Sequence, residues 1–228
     1  MQLVPIGTIP TPLARGTRMR IGIIGTGNVA KGLAPGFIAA GHDVFLASRD
    51  PAKHESLPAP AKDYDALASA EIVVAATPGV ATLDVLKAVG SRVLDGKVLV
   101  DPGNALDARY QLAYPSESLA GKIQAAFPGA RVVKAFNTYG VPVMVSPSSL
   151  TGPSASFIAG NDSGAKKVVR ELHVALGWRA EDVVDLGGIE AALAQERYFA
   201  LFMALVRSLG TANFNIAIVR SPSEGPLA

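Results

Sequence analysis

The 228-residue chain contains no cysteine and only three histidines. Without cysteine there is no disulfide, no thiolate metal site and no thiol nucleophile. The histidines, His42, His54 and His173, are widely separated in the sequence, so we expect no metal site. Acidic and basic residues nearly cancel, giving a formal net charge of +2, which argues against nucleic acid or an anionic membrane surface as a partner.

Long apolar runs are also missing. No stretch approaches the ~20 apolar residues that a membrane-spanning helix requires. Near the N-terminus, Pro5, Pro10 and Pro12 interrupt the apolar run that a signal peptide needs. We therefore expect residues 1–18 to form a flexible leader and the protein to be cytoplasmic. Hydrophobic residues nevertheless make up 49% of the chain, which is enough for a sizeable core.

Short apolar segments alternate with helical segments through the first 135 residues. Such segments, which lack the alternation of a half-exposed strand, are typical of strands buried on both faces of a parallel sheet. They lie at residues 20–25, 43–47, 72–76, 98–101 and 131–135. Helices are predicted at residues 29–40, 67–70, 80–89 and 116–126. This rhythm predicts an α/β fold with a Rossmann-type, doubly wound parallel sheet.

A connector rich in proline, serine and glycine, residues 145–153, interrupts this rhythm. We therefore divide the fold into a nucleotide-binding domain, residues 19–150, and a small C-terminal α/β extension, residues 151–228. The extension is predicted to contain strands at 155–159 and 183–186 and helices at 164–176 and 189–209. The last helix is more apolar than one face of a surface helix requires, which predicts a homodimer.

A glycine-rich turn, Gly-Thr-Gly-Asn-Val-Ala at residues 25–30, follows the first predicted strand and opens the first predicted helix. Gly25 permits a tight turn, Gly27 lets the backbone approach a pyrophosphate, and the small Ala30 lets the helix pack on the strand. The free N–H groups of the helix N-terminus favour an anion. A purely structural turn is the alternative, but the context predicts a dinucleotide site that includes Gly25, Thr26, Gly27, Asn28 and Val29.

The end of the second predicted strand indicates which dinucleotide binds. NAD-specific sites place an Asp or Glu there, about 20 residues after the loop, to bind the ribose hydroxyls. This chain has Ser48 and Arg49 instead, with Lys53 four residues further on. A hydroxyl, a guanidinium and an ammonium group suit a 2′-phosphate, which a carboxylate would repel. These residues predict NADP(H) rather than NAD(H).

The motifs at residues 25–32, Gly-Thr-Gly-Asn-Val-Ala-Lys-Gly, and 48–53, Ser-Arg-Asp-Pro-Ala-Lys, resemble the NADPH-dependent coenzyme F420 reductase family. That family is related to the reductase domain of the membrane ferric reductases. The resemblance runs from Met19 nearly to the end of the chain. It includes Ala-Thr-Pro at 76–78, Asp-Pro-Gly-Asn at 101–104, Lys-Ala-Phe-Asn-Thr at 134–138 and Gly-Asn-Asp at 160–162.

The resemblance also implies where the nicotinamide half of the cofactor lies. Residues 76–78 would pass beside the nicotinamide ribose, and the segment after residue 135 would lie where the nicotinamide meets the ring of coenzyme F420 or a flavin. The implied cofactor contacts are Ala76, Thr77, Pro78, Asn104, Ala135, Asn137, Thr138 and Tyr139. One departure lies further on: where the family usually shows an arginine shortly before a glutamate, this chain has Leu193 before Glu196.

Hydride transfer between two cofactor rings requires no protein nucleophile, so no catalytic side chain is predicted. A reductase of a small carbonyl or imine substrate is the second hypothesis, and it would use Tyr139 as its proton donor. A non-enzymatic NADP(H) redox sensor is the third. Lys134 is interpreted as structural, and the aromatic residues Tyr198, Phe199 and Phe202 as core or as a dimer contact.

Overall fold

The structure is a computed structural model that describes residues 17–53 and 56–219. Its centre is one sheet of eight strands in the order β3-β2-β1-β4-β5-β6-β7-β8. The strands are β1 (Arg20–Ile24), β2 (Asp43–Ala47), β3 (Ala61–Lys62), β4 (Ile72–Ala75), β5 (Val98–Asp101), β6 (Arg131–Ala135), β7 (Ser156–Ala159) and β8 (Val183–Asp185). The predicted Rossmann-type α/β fold is confirmed.

Seven α-helices cover the two faces of the sheet in the described part of the chain. They are α1 (Asn28–Ala39), α2 (Gly79–Val89), α3 (Ser91–Leu94), α4 (Leu119–Ala126), α5 (Val141–Val145), α6 (Ser163–Ala175) and α7 (Ala192–Leu209). None of the described helices is both long and apolar enough to cross a membrane.

The core consists of two layers, one on each face of the sheet. On the first face, Ile23 of β1 packs in one cluster with Phe37 of α1 and Leu172 of α6. On the second face, Leu99 of β5 packs in another cluster with Ile123 of α4. These apolar strands are buried on both sides, which is why their sequence shows no alternation.

No direction was predicted for the last two strands, which lie in the C-terminal extension. Strands β1 to β6 are parallel, but β7 runs antiparallel to β6, with Lys134 opposite Ala159 and Ala135 opposite Ile158. β8 is parallel to β7. Because no long helix connects β6 to β7, the chain turns back beside β6 instead of crossing over the sheet. The division predicted near residue 150 therefore separates two parts of one sheet.

Several predicted elements have different bounds or types. The predicted helix at 67–70 belongs to a 3-10 turn, Tyr64–Ser69, and the predicted helix at 189–209 is a 3-10 turn, Ile189–Ala191, followed by α7. The predicted helix at 116–126 begins only at Leu119, because the Ser118 hydroxyl caps it by accepting from the Gly121 N–H at 2.9 Å. The predictions for residues 1–16 and for His54 lie outside the described residues.

Candidate functional site

The turn between β1 and α1 has the geometry that a phosphate requires. Gly25 has φ +110°, and a Cβ there would collide with the carbonyl oxygen of Ala76, so only glycine fits. A Cβ at Gly27 would meet no atom of the described residues within 4 Å, so these residues leave open space in front of the turn. Gly27 is the N-cap of α1 and offers no side chain to cap the helix. The first-turn N–H groups are therefore available to an anion.

The three residues predicted to select NADP(H) lie at the adjacent strand end. Ile24 and Ala47 are paired across β1 and β2, which brings Ser48 and Arg49 next to the glycine turn. Arg49 is exposed. The Ser48 hydroxyl accepts from the Asp50 N–H at 3.3 Å, and Lys53 pairs with Asp50 at 2.6 Å in an exposed ion pair. The carboxylate of Asp50 is thus occupied by Lys53.

The loops after β4 and β5 approach each other closely. The hydroxyls of Thr77 and Thr82 are 2.9 Å apart, which fixes the turn into α2. A Cβ at Gly79 would collide with the backbone of Asn104, so the glycine permits this contact. The turn 76–78 is therefore held at the same sheet edge as the glycine turn.

An amide pair joins the loops after β5 and β6. The Asn104 side chain donates to the Asn137 carbonyl at 3.0 Å, and the Asn137 side chain donates to Asn104 Oδ1 at 3.1 Å. Asn137 Oδ1 is buried and has no hydrogen-bond partner among the described residues. An unpaired buried acceptor is costly unless a ligand supplies the donor. A carboxamide N–H₂, such as that of nicotinamide, is a donor of the required kind.

Three predicted cofactor contacts have side chains in the core. Ala135 is fully buried in the first core layer, and Thr138 and Tyr139 are 3% and 6% exposed. The reason is that the backbone makes a left-handed turn at Phe136, where φ is 65°. The Phe136 ring stacks on the His173 ring, and the two ring centres are 3.9 Å apart. The Tyr139 side chain faces inward, in the packing role that is the more frequent one for a tyrosine at a strand end.

Tyr139 belongs to a buried hydrogen-bond chain. Its hydroxyl is 2.7 Å from Ser156 Oγ, which is 2.8 Å from His173 Nε2. His173 Nδ1 is 2.8 Å from the Val169 carbonyl, which can only accept, so Nδ1 carries the proton and Nε2 accepts. Burial lowers the pKa of His173 to about 4 and raises the pKa of Tyr139 well above its usual value. Neither group titrates near neutral pH.

A buried ionic group, which the sequence interpretation missed, lies beneath the amide pair. Lys134 Nζ lies 2.9 Å from the Asp101 carboxylate and 2.7 Å from the Glu196 carboxylate, and it also donates to the Gly103 carbonyl. The side chains of Lys134, Asp101 and Glu196 are at most 1% exposed. Glu196 accepts from the Leu119 N–H at 2.9 Å, which connects α7 to the start of α4. Burial raises the pKa of Glu196, and Lys134 opposes that shift. The signal in the sequence was Asp101 and Lys134 at the ends of otherwise apolar strands.

These features together fit a dinucleotide. Gly27 leaves room before a helix N-terminus for the pyrophosphate, Arg49 is exposed beside it, and Asn137 Oδ1 lacks a donor on the loop after β6. A separate cavity of about 430 Å³ lies between residues 147–154 and 177–182, and no predicted cofactor contact lines it.

A mostly parallel sheet with this glycine turn at its carboxyl edge defines the class: an NADP(H)-dependent oxidoreductase with a Rossmann-type fold. Residues 20–105 match the family described as NADP oxidoreductase, coenzyme F420-dependent. A solved structure from Arthrobacter sp. FB24, named as a candidate F420-dependent NADP reductase, is 36% identical, with a TM-score of 0.82 over 89% of this chain and 100% of that chain. The chain belongs to this coenzyme F420-dependent NADP oxidoreductase family.

Three further proteins show how far the similarity extends. The F420-dependent NADP reductase of Methanothermobacter thermautotrophicus is 29% identical over 90% of this chain and 97% of its own length. Metalloreductase STEAP3 of Rattus norvegicus is 28% identical over 76% of this chain but only 35% of its own length. An imine reductase from Myxococcus stipitatus, at 18% identity and a TM-score of 0.63, shares the fold.

Proposed function

We propose that the protein transfers a hydride between NADPH and a planar tricyclic ring, the deazaflavin of coenzyme F420 or a flavin. One observation carries the choice of acceptor: the Tyr139 hydroxyl is enclosed by Ser156 and His173. Tyr139 is the only ionisable residue of segments 76–79, 103–106 and 136–140. Hydride transfer to such a ring does not need an ionisable group, whereas reduction of a carbonyl or imine does.

The reaction is balanced without a protein nucleophile. Bound NADPH would supply a hydride, with both electrons, to C5 of a deazaflavin or N5 of a flavin, and a solvent proton would complete the reduced ring. The protein binds the pyrophosphate at the start of α1 and the 2′-phosphate at Ser48, Arg49 and Lys53. The amide pair of Asn104 and Asn137 orients the nicotinamide.

Steady-state NADPH oxidation tests this proposal. We expect turnover with oxidised F420 or FMN and none above background with a panel of ketones and cyclic imines. Turnover confined to the ketones or imines would establish the carbonyl or imine reductase instead. Tight NADPH binding without oxidation by any acceptor would indicate a redox sensor.

We also propose that the protein is a homodimer in which α7 contacts its counterpart. Only three residues of this helix are buried, Ala192, Gln195 and Glu196, all in its first five positions. Its second half carries Leu201, 54% exposed, and Leu209, 56% exposed. An apolar helix that extends beyond its own core is a usual feature of an interface between copies.

A further inference from the structure

Five buried side-chain polar atoms have no hydrogen-bond partner among the described residues. They belong to four residues: Asn137 (Oδ1), Gln195 (Nε2 and Oε1), Tyr198 (hydroxyl) and Asn215 (Oδ1). Native cores leave few such atoms, because each costs free energy that a hydrogen bond would offset. Such atoms indicate a surface prepared for a polar ligand.

The four residues lie on three segments that meet beyond the nicotinamide end of the site. Phe202 of α7 stacks on Phe214, with ring centres 5.2 Å apart, so this face of the helix packs against the C-terminal segment, residues 210–219. A Cβ at Gly140, just after the loop of Asn137, would lie 3.1 Å from the Ala212 carbonyl oxygen. The loop after β6, the helix and the C-terminal segment therefore border one space.

Gln195 and Tyr198 occupy the helix face that borders this space. They precede Phe202 by seven and four positions, which places all three on one side of α7. Gln195 is 3% exposed, yet neither atom of its amide has a partner. The next residue, Glu196, reaches Lys134, which donates to the Gly103 carbonyl beside Asn104. Gln195 is thus anchored directly next to the nicotinamide loops.

We propose that Gln195, assisted by the Tyr198 hydroxyl, recognises the imide edge of the acceptor ring, that is, its C=O and N–H groups. This inference rests on the proposed function. A primary amide presents one donor and one acceptor side by side, which matches an adjacent carbonyl and N–H of the pyrimidine part of a deazaflavin or flavin. Simple ketones and imines offer no such pair.

For the ring to reach this edge, the C-terminal segment would have to move outward. That segment is attached to the residues just before β7 by three hydrogen bonds. The Ala155 N–H donates to the Ile216 carbonyl at 2.9 Å. The Asn215 amide donates to Ser154 Oγ at 2.7 Å and to the Ala155 carbonyl at 2.8 Å. Beyond it, Ile218 is 47% exposed.

The test compares Gln195→Leu with Gln124→Leu in the full-length protein. Gln124 is a matched control, since its amide donates to the Ala130 carbonyl at 3.0 Å and accepts from the Val132 N–H at 3.3 Å. The probes are oxidised F420, lumiflavin and the N3-methyl derivative of each ring. Dissociation constants are measured by fluorescence without NADPH, together with the NADPH dissociation constant and Tm.

We expect Gln195→Leu to bind the unmodified rings about 10- to 100-fold more weakly, the loss of two neutral hydrogen bonds, with unchanged NADPH affinity. Its Tm should be equal or higher, because an unpaired buried amide is removed. The wild type should discriminate against N3-methyl rings, and Gln195→Leu should not. Gln124→Leu should lower Tm and leave ring affinity unchanged.

Two other results overturn the inference in different ways. Suppose that the wild type reduces the rings but binds the parent and N3-methyl forms equally, or that Gln195→Leu keeps full ring affinity. Either result shows that Gln195 does not recognise the ring, while the proposed function stands. If the wild type neither binds nor reduces any ring, the proposed function and this inference both fail.

Discussion

Arg49 lies exposed at the end of β2, next to the glycine turn and beside Ser48. Replacing it with alanine should lower the preference for NADPH over NADH by about 1.5–3 kcal/mol, the range for a hydrogen bond to a charged group. Titration of both coenzymes against Arg49→Ala measures this change. Arg92→Ala, at an exposed position on α3, is the control and should leave the preference intact. Equal preference in Arg49→Ala and wild type would remove Arg49 from the site.

His173 makes stability depend on pH. Burial lowers its folded-state pKa from 6.5 to about 4. The unfolded chain therefore binds a proton at this residue near pH 6.5, whereas the folded protein binds it only near pH 4. Stability should therefore fall as pH drops from 6.5 towards 4, by about 3 kcal/mol in full. Urea unfolding at pH 7.5 and pH 4.5 measures the loss.

The variant His173→Gln should remove most of this pH dependence, whatever its own stability. His42→Gln is the control, because His42 is only partly buried. Burial lowers the pKa of His42, and Glu71 opposes that shift. A wild-type stability that is constant between the two pH values would contradict the assignment of a neutral, buried His173.

Tyr139→Phe distinguishes a buried hydroxyl from a proton donor. The hydroxyl bonds Ser156 inside the core, so its removal should cost about 1 kcal/mol of stability, measured by urea unfolding. NADPH oxidation should stay within a few-fold of wild type for every acceptor. A loss of roughly 10²–10⁴-fold with ketones or imines alone would show that Tyr139 acts as an acid on substrate.

The residues at the nucleotide end were predictable because each follows from local chemistry. Gly25 and Gly27 lie in a strand–turn–helix pattern, and Arg49 follows the next strand. The partners of the buried Tyr139 were not predictable, since they are Ser156 and His173, which follow in the sequence by 17 and 34 residues. Contacts of that range leave no local pattern in the sequence.

At the level of elements, α7 carries the clearest prediction. Leu201→Glu places a charge on the exposed apolar side of the helix and should shift the protein from dimer to monomer at micromolar concentration, because a charge is costly to bury in an interface. Light scattering with size-exclusion chromatography measures the mass. Ile38→Glu, at a residue of α1 that is 41% exposed, is the control and should remain a dimer. A monomeric wild type would contradict the dimer itself.

The strands themselves were predicted well and their directions less well. Residues 43–47, 98–101 and 131–135 have the same bounds in the structure as in the sequence interpretation. The direction of β7 was not predicted, because an apolar segment of four residues has the same composition in either direction. Only the short connection after α5 distinguishes a return beside β6 from a crossover.

At the scale of the whole molecule, Lys134, Asp101 and Glu196 connect β5, β6 and α7. Lys134→Met should lower the free energy of unfolding by about 3–5 kcal/mol, because it leaves two carboxylates buried without their cation. Urea unfolding measures the change. Lys87→Met, which removes an exposed i,i+3 ion pair on α2, is the control and should change stability by less than about 1 kcal/mol. A similar effect for both variants would show that the buried group is not needed for stability.

The same ionic group has a consequence for how the chain folds during synthesis. Lys134 meets Asp101 early, but Glu196 follows it by 62 residues. Until that carboxylate emerges from the ribosome, the buried ammonium has only one of its two counterions, and the N–H of Leu119 lacks the acceptor that Glu196 provides. Without α7 the buried ammonium at the centre of the sheet would therefore have only one counterion, so the C-terminal helix completes this ionic group.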